Sequence, residues 1–227
     1  MSIQEYFGDW RHVLDLPLAD SIVRKLASMR QPLCPDVKDV FRAFTLCGLE
    51  SLRVVIIGQD PYCDWSEGCP TATGVAFANA KDTREESYSP SLKVLMESVI
   101  DFSVPHNHVN FDPSLEKWEA QGALMLNSAL SCAKGQPGSH ALLWRPFVTS
   151  FLRKLSGFKP GVVYVLMGSV ARSLERHIDK RFSFVFSVPH PAWYARQGKK
   201  MPSSLWLDIN RILIGQNGYG IEWYEER

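Results

Sequence analysis

Four short runs rich in aliphatic and β-branched residues, at 53–58, 123–126, 161–167 and 183–188, do most to limit how this chain can fold. Each is near-continuously apolar, the pattern of a strand buried on both faces rather than of one with a wet side. Helical spacing fills the gaps between them. Ser89-Pro90 supplies a helix start, with Leu92, Leu95, Val99 and Ile100 as its buried stripe. Further helices are predicted at 114–121, 142–155, 169–177 and 202–214. Upstream, Leu18, Ile22, Val23 and Leu26 form one helical stripe, and Val37, Val40, Phe41 and Phe44 a second that Gly48 stops. Strands alternating with helices predict an α/β chain: a single-domain, three-layer α/β/α fold with a central four-stranded parallel sheet, spanning residues 1–227.

Composition narrows the class without naming a partner. The 227 residues are 45% hydrophobic and 22% charged, ordinary for a globular protein. No apolar run approaches the ~18 residues of a membrane span, and the start Met1-Ser2-Ile3-Gln4-Glu5-Tyr6 lacks the order of a signal peptide. An intracellular protein is expected, in cytoplasm or nucleus. Five cysteines without CxxC spacing predict free thiols rather than a disulfide framework. Cys63 and Cys69 are close enough to share a metal, but no second ligand pair follows, and no metal is expected. A net charge of +1 is uninformative. Arg172, Arg176, Lys180, Arg181, Arg196, Lys199 and Lys200, against Glu175 and Asp179, make a local excess suited either to DNA phosphates or to a solvated face.

In a parallel α/β sheet, ligands bind at the carboxyl ends of the strands. Those ends carry Gln59-Asp60, Asn127, Gly168-Ser169 and His190. An acid, an amide and an imidazole are thereby predicted to converge on one edge. A carboxylate there can stabilise a cationic centre and orient a water. An amide can read a base edge with a donor and an acceptor together, and an imidazole can donate to a developing anion. No Gly-rich phosphate loop follows the 53–58 strand, which weighs against a nucleotide-binding module.

The segment Gly58-Gln59-Asp60-Pro61-Tyr62 resembles the water-activating motif of the main uracil-DNA glycosylase family. Gly74-Val75-Ala76-Phe77 is similar to that family's uracil-stacking segment, and Leu124-Met125-Leu126-Asn127 to its base-reading strand. The stretch 136–140, Gly168-Ser169 and His190-Pro191 follow in the family's order, so the resemblance spans about Trp10 to Trp223. It implies hydrolysis of the bond between uracil and deoxyribose in DNA, with no cofactor. Asp60 and His190 would be catalytic. Gln59, Tyr62, Phe77 and Asn127 would bind uracil, with Tyr62 crowding the position of the thymine methyl. Ser91, Ser169, Tyr194 and Arg196 would bind DNA. The resemblance further implies single- or double-stranded DNA as partner, a proteinaceous uracil-glycosylase inhibitor as a possible second one, and a monomer. A DNA-binding accessory protein on the same fold, or preference for a modified uracil, are the alternatives.

Two departures from the family pattern stand out. Cys63 replaces the histidine that ends the first motif, and Trp65 beyond it is either a DNA contact or a packed loop anchor. The family's HPSPLS becomes His190-Pro191-Ala192-Trp193-Tyr194-Ala195, with both serines lost and Tyr194 in place of the leucine wedge. Tyr194 is therefore expected to insert into duplex DNA, and single strands to be the preferred substrate.

Overall fold

The computed structural model describes residues 3–100 and 109–226; Met1 and Ser2 of the amino-terminal segment considered above lie outside them. All four predicted strands form, as β1 (Val54–Gly58), β2 (Ala123–Asn127), β3 (Val163–Met167) and β4 (Phe184–Val188). They make one parallel sheet in the order β2-β1-β3-β4. Register sets the site: Gly58 lies opposite Asn127, and Met167 opposite Val188, so the strands deliver their last residues to the same edge.

The pleat divides each strand between two cores, because successive side chains point to opposite faces. Val55, Ile57, Leu124, Leu126, Tyr164 and Leu166 face one cluster, with helices Leu16–Ala27, Arg42–Leu46 and Ala141–Phe158. Val54, Ile56, Ala123, Met125, Val163 and Val165 face the other, with helices Pro90–Ile100, Glu116–Ala120, Pro191–Gln197 and Ser204–Asn217. The result is the expected three-layer α/β/α arrangement. In the second core Trp118, Trp206 and Trp223 pack on one another with ring centroids 4.7–5.5 Å apart.

Several local expectations are corrected. The apolar stripe from Val37 to Phe44 is a 3-10 turn, Val37–Asp39, followed by the short helix Arg42–Leu46. A spacing of three serves a 3-10 turn as well as an α-helix, so periodicity alone did not separate them. The helix expected at 169–177 stops at Arg172 and resumes as a 3-10 turn, Glu175–His177. Ser173 there bonds back to the Val170 carbonyl at 2.7 Å, a competitor to the helical ladder. Helix Pro191–Gln197 forms directly after β4, where no helix was predicted. No helix among the described residues is long and apolar enough to cross a membrane. All five cysteines are free thiols, and no group of three metal-ligating side chains gathers among the described residues.

One buried acid ties the second core to β2. Glu119 is fully buried, and its Oε1 accepts the Met125 N–H at 2.8 Å, whereas its Oε2 has no partner among the described residues. Burial pushes its carboxyl well above the usual carboxylate range. The folded state therefore favours the protonated acid, and stability from this group is full below the unfolded pKa and is lost as pH rises through the folded one. Glu119→Gln keeps an acceptor for Met125 and cannot ionise. Thermal melts from pH 4 to pH 9 are expected to superpose at the acid end and to show the variant more stable by about 1–2 kcal/mol at the basic end. Parallel melts at every pH would mean that Glu119 does not titrate in the fold.

Candidate active site

Asp60, Tyr62, Phe77, Ser91, Asn127 and His190 line one enclosed pocket at the carboxyl edge of the sheet. The pocket opens into a wider groove bordered by Gln59, Cys63, Ser169, Trp193 and Arg196, with Asp60, Tyr62 and His190 on the boundary of both. Nine of the ten site residues named from sequence thus line one of two adjoining concavities. Tyr194 is the exception.

Asp60 leaves β1 at the turn after Gly58. Its Oδ2 accepts from Gln59 Nε2 at 3.0 Å, and it also accepts a backbone hydrogen bond from Gly138. Burial raises its pKa above the ordinary carboxylate value, while Gln59, Gly138 and the nearby His140 imidazole hold the charged form back toward it. Gln59 therefore meets Asp60 through its side chain. Its carbonyl knits the loops after β1 and β2 by accepting from Ser128 Oγ at 2.7 Å and Ala129 N–H at 3.1 Å.

Gly138 and His140, which both act on the Asp60 carboxylate, were not singled out from the sequence as individual residues, although both lie in the 136–140 stretch. His140 is buried, and its Nδ1 meets Ser131 Oγ at 2.9 Å. Trp144 Nε1 donates to the same oxygen at 2.8 Å, so the serine hydroxyl ties the His140 ring to the helix Ala141–Phe158. Burial lowers the His140 pKa, with the Asp60 charge acting against it.

His190 caps helix Pro191–Gln197: its Nδ1 accepts the Ala192 N–H at 3.1 Å. Nδ1 therefore carries no proton, and the neutral ring presents Nε2–H as a donor. Burial first, and the Arg196 charge second, lower the His190 pKa and keep the ring neutral. Gly168, at φ +95°, passes so close that a Cβ there would lie 3.0 Å from the His190 Cβ.

Asn127 ends β2 nearly buried, and among the described residues its side-chain amide has no hydrogen-bond partner. Its donor and acceptor remain available to a ligand. Phe77 adopts φ +67°, a conformation costly for a residue with a Cβ. Tyr62 helps hold it there, donating its hydroxyl to the Phe77 carbonyl at 2.9 Å. The Phe77 ring lies 5.5 Å from the His190 ring, tilted by 49°. Gly58 makes this packing possible, since a Cβ on it would sit 2.6 Å from Asn127 Oδ1 and 2.7 Å from Phe77 Cζ. Ser91 is buried in the pocket wall, and its helix start is fixed by Asn79, whose Oδ1 accepts the Ser89 N–H at 2.8 Å.

Tyr194 is corrected. It is 7% exposed and packs into the second core. The helix rotates it there: Pro191 and Tyr194, three residues apart, form the buried face, and Trp193 and Arg196 the exposed one. Trp65 is a packed anchor, with Nε1 donating to Cys34 Sγ at 3.2 Å and Lys134 Nζ 4.7 Å from its ring centroid. Within the basic stretch, Lys180 and Arg181 pair with Glu175 and Asp179. Ser169 and Arg196 are exposed on the groove.

Comparison with known proteins agrees with this geometry. The sequence model of the uracil DNA glycosylase superfamily matches residues 44–214. A uracil-DNA glycosylase of Streptococcus pyogenes serotype M18 is 30% identical over 223 residues, 98% of this chain and 93% of that protein. The crystal structure of mimivirus uracil-DNA glycosylase superposes with a TM-score of 0.75 at 22% identity, covering 98% of this chain and 93% of the other. The crystal structure of wild-type UNG from Nitratifractor salsuginis gives 0.65 at 21% identity, over 83% of this chain and 86% of the other. The structural matches speak for the fold, and the sequence matches decide the family: the chain belongs to the uracil-DNA glycosylase superfamily, and it is a glycosylase.

Proposed function

We propose that this chain hydrolyses the N-glycosidic bond of uracil in DNA, releasing free uracil and leaving an abasic site. The observation that carries this reading is the opening of one carboxylate, one neutral imidazole and one unpaired amide into a single aromatic-lined pocket. Breaking this bond builds positive charge on the sugar and negative charge on the departing base. Asp60 stabilises the sugar cation and orients the attacking water, whose proton it can receive. His190 Nε2–H donates to the uracil oxygen where negative charge collects.

Reaching that pocket requires the nucleotide to leave the base stack, at a cost of a few kcal/mol that is least for a single strand. Phe77 stacks on the flipped base. Asn127 matches the edge of uracil with one donor and one acceptor, and the edge of cytosine reverses that pattern. Tyr62, held against the Phe77 carbonyl, closes the space a thymine methyl would need. The groove residues Ser169 and Arg196, with Ser91 at the pocket wall, are assigned to the DNA backbone. A proteinaceous inhibitor is a further proposed partner; the mimivirus enzyme has been solved in complex with UGI.

The deciding experiment measures free base released from oligonucleotides carrying uracil, thymine, cytosine or a substituted uracil. Uracil alone is expected to leave at an appreciable rate. Asn127→Asp is expected to lose most uracil activity and gain slow cytosine release, and Tyr62→Ala to gain thymine release. No uracil release by the parent would end the proposal. A variant that gains nothing at high enzyme concentration would mean that its residue does not contact the base.

A further inference from the structure

The groove outside the pocket carries an aromatic ring for which the reaction has no use. Trp193 lies three residues beyond His190 on the exposed face of helix Pro191–Gln197, and it is 37% exposed. It borders the groove together with Arg196, one turn further along the same face. Its orientation is held from two sides. Tyr194 meets it edge-on, with ring centroids 5.0 Å apart and planes at 83°, and Tyr194 is itself rooted in the second core. Lys199 Nζ lies 5.3 Å from the Trp193 ring centroid. A large apolar ring left partly in water, immobilised by a buried neighbour and flanked by cations, is the arrangement on which single-stranded nucleic acids stack their bases.

We infer that Trp193 is a stacking platform for a nucleobase flanking the target nucleotide in single-stranded DNA. The inference rests on the glycosylase reading above. It differs from a wedge in its geometry and in its consequence. In a duplex, the flanking bases are paired and already stacked, so their faces are not offered to a groove wall. Trp193 belongs to a helix bedded on the core through Pro191 and Tyr194, and it cannot enter a base stack unless that helix moves. In a single strand those faces are free. Trp193 is thus a positioning residue that acts on binding, and its loss weighs on single strands.

The test determines kcat and KM for parent, Trp193→Ala and Trp193→Phe on single-stranded and duplex oligonucleotides with one uracil. The affinity of each protein for uracil-free oligothymidylate is measured in parallel by fluorescence anisotropy. For Trp193→Ala, KM on single strands is expected to rise about tenfold and oligothymidylate to bind about tenfold more weakly, with kcat and the duplex KM within about threefold of the parent. Trp193→Phe should restore most of the loss. An unchanged single-strand KM, a larger loss on duplex than on single strand, or a phenylalanine variant as weak as the alanine one would each overturn the platform. Should the parent release no uracil, the glycosylase reading fails, and oligothymidylate affinity still decides the role of Trp193.

Discussion

Replacing His190 with alanine is expected to slow single-turnover uracil release from single-stranded DNA by at least about a hundredfold, with the fold intact. A preorganised donor aimed at developing charge is typically worth that much, because no solvent has to reorganise as the charge forms. His190 meets the requirement through two contacts of its own. The Ala192 N–H occupies Nδ1, so the proton sits on Nε2, and burial with the Arg196 charge keeps the ring from becoming a cation. Asp60→Asn is expected to cost at least as much, since the amide keeps the size of the side chain and removes the charge proposed to stabilise the sugar cation. The pH profile distinguishes the two groups. The proposed mechanism needs Asp60 ionised and His190 neutral, so both are expected to contribute limbs on the acid side, with activity rising with pH to a plateau. Burial moves the Asp60 limb up from the ordinary carboxylate value, and burial moves the His190 limb down from the ordinary imidazole value. The residual activity of His190→Ala should titrate with Asp60 alone, and that of Asp60→Asn with His190 alone. Rates within about threefold of the parent for both variants, under ~1 kcal/mol of barrier, would remove the assigned mechanism.

Gly58→Ala is the second substitution with a large expected effect, although residue 58 lines neither the pocket nor the groove. Its new methyl would collide with Asn127 Oδ1 and with Phe77 Cζ, the residues proposed to read the base and to stack on it. Both must shift, and Phe77 has little freedom, with its backbone at positive φ and its carbonyl held by Tyr62. A misplacement of about 1 Å at a reacting centre can cost about a hundredfold, whereas overpacking a core site costs about 1–3 kcal/mol of stability. The variant is therefore expected to fold with a lowered Tm and to lose roughly a hundredfold in kcat/KM on uracil. It should also discriminate less sharply against cytosine. Parental activity and base selectivity in a folded Gly58→Ala protein would show that Asn127 and Phe77 do not jointly define the base pocket.

The sheet and the edge at which chemistry collects were legible in the sequence because both depend on short-range pattern. Apolar runs mark all four strands, of which β1, β2 and β3 are buried on two faces while β4, at the sheet edge, is partly exposed, and helical spacing between them forces parallel crossovers. The carboxyl ends of parallel strands then fall on one side whatever the details of packing. Asp60, Asn127 and His190 could be placed together on that ground alone. Helix Pro191–Gln197 was legible too, with a cap, proline at its first position and Gly198 after its last residue. It went unread because histidine is not a usual capping residue.

Tertiary structure decided what depends on segments far apart in the chain. Tyr194 and Trp193 are adjacent aromatic residues, and only the docking of their helix on the second core turns the first inward and leaves the second in the groove. The Asp60 carboxylate is tuned by Gly138 and His140, almost eighty residues away, and the ring of His140 is oriented in turn by Ser131 and Trp144. Residue types and local spacing set which groups the chain can offer at the ends of its strands. Which of them are buried, which nitrogen carries a proton and which ring faces the groove are fixed by contacts that exist only once the layers have packed, and sequence periodicity carries no record of those contacts.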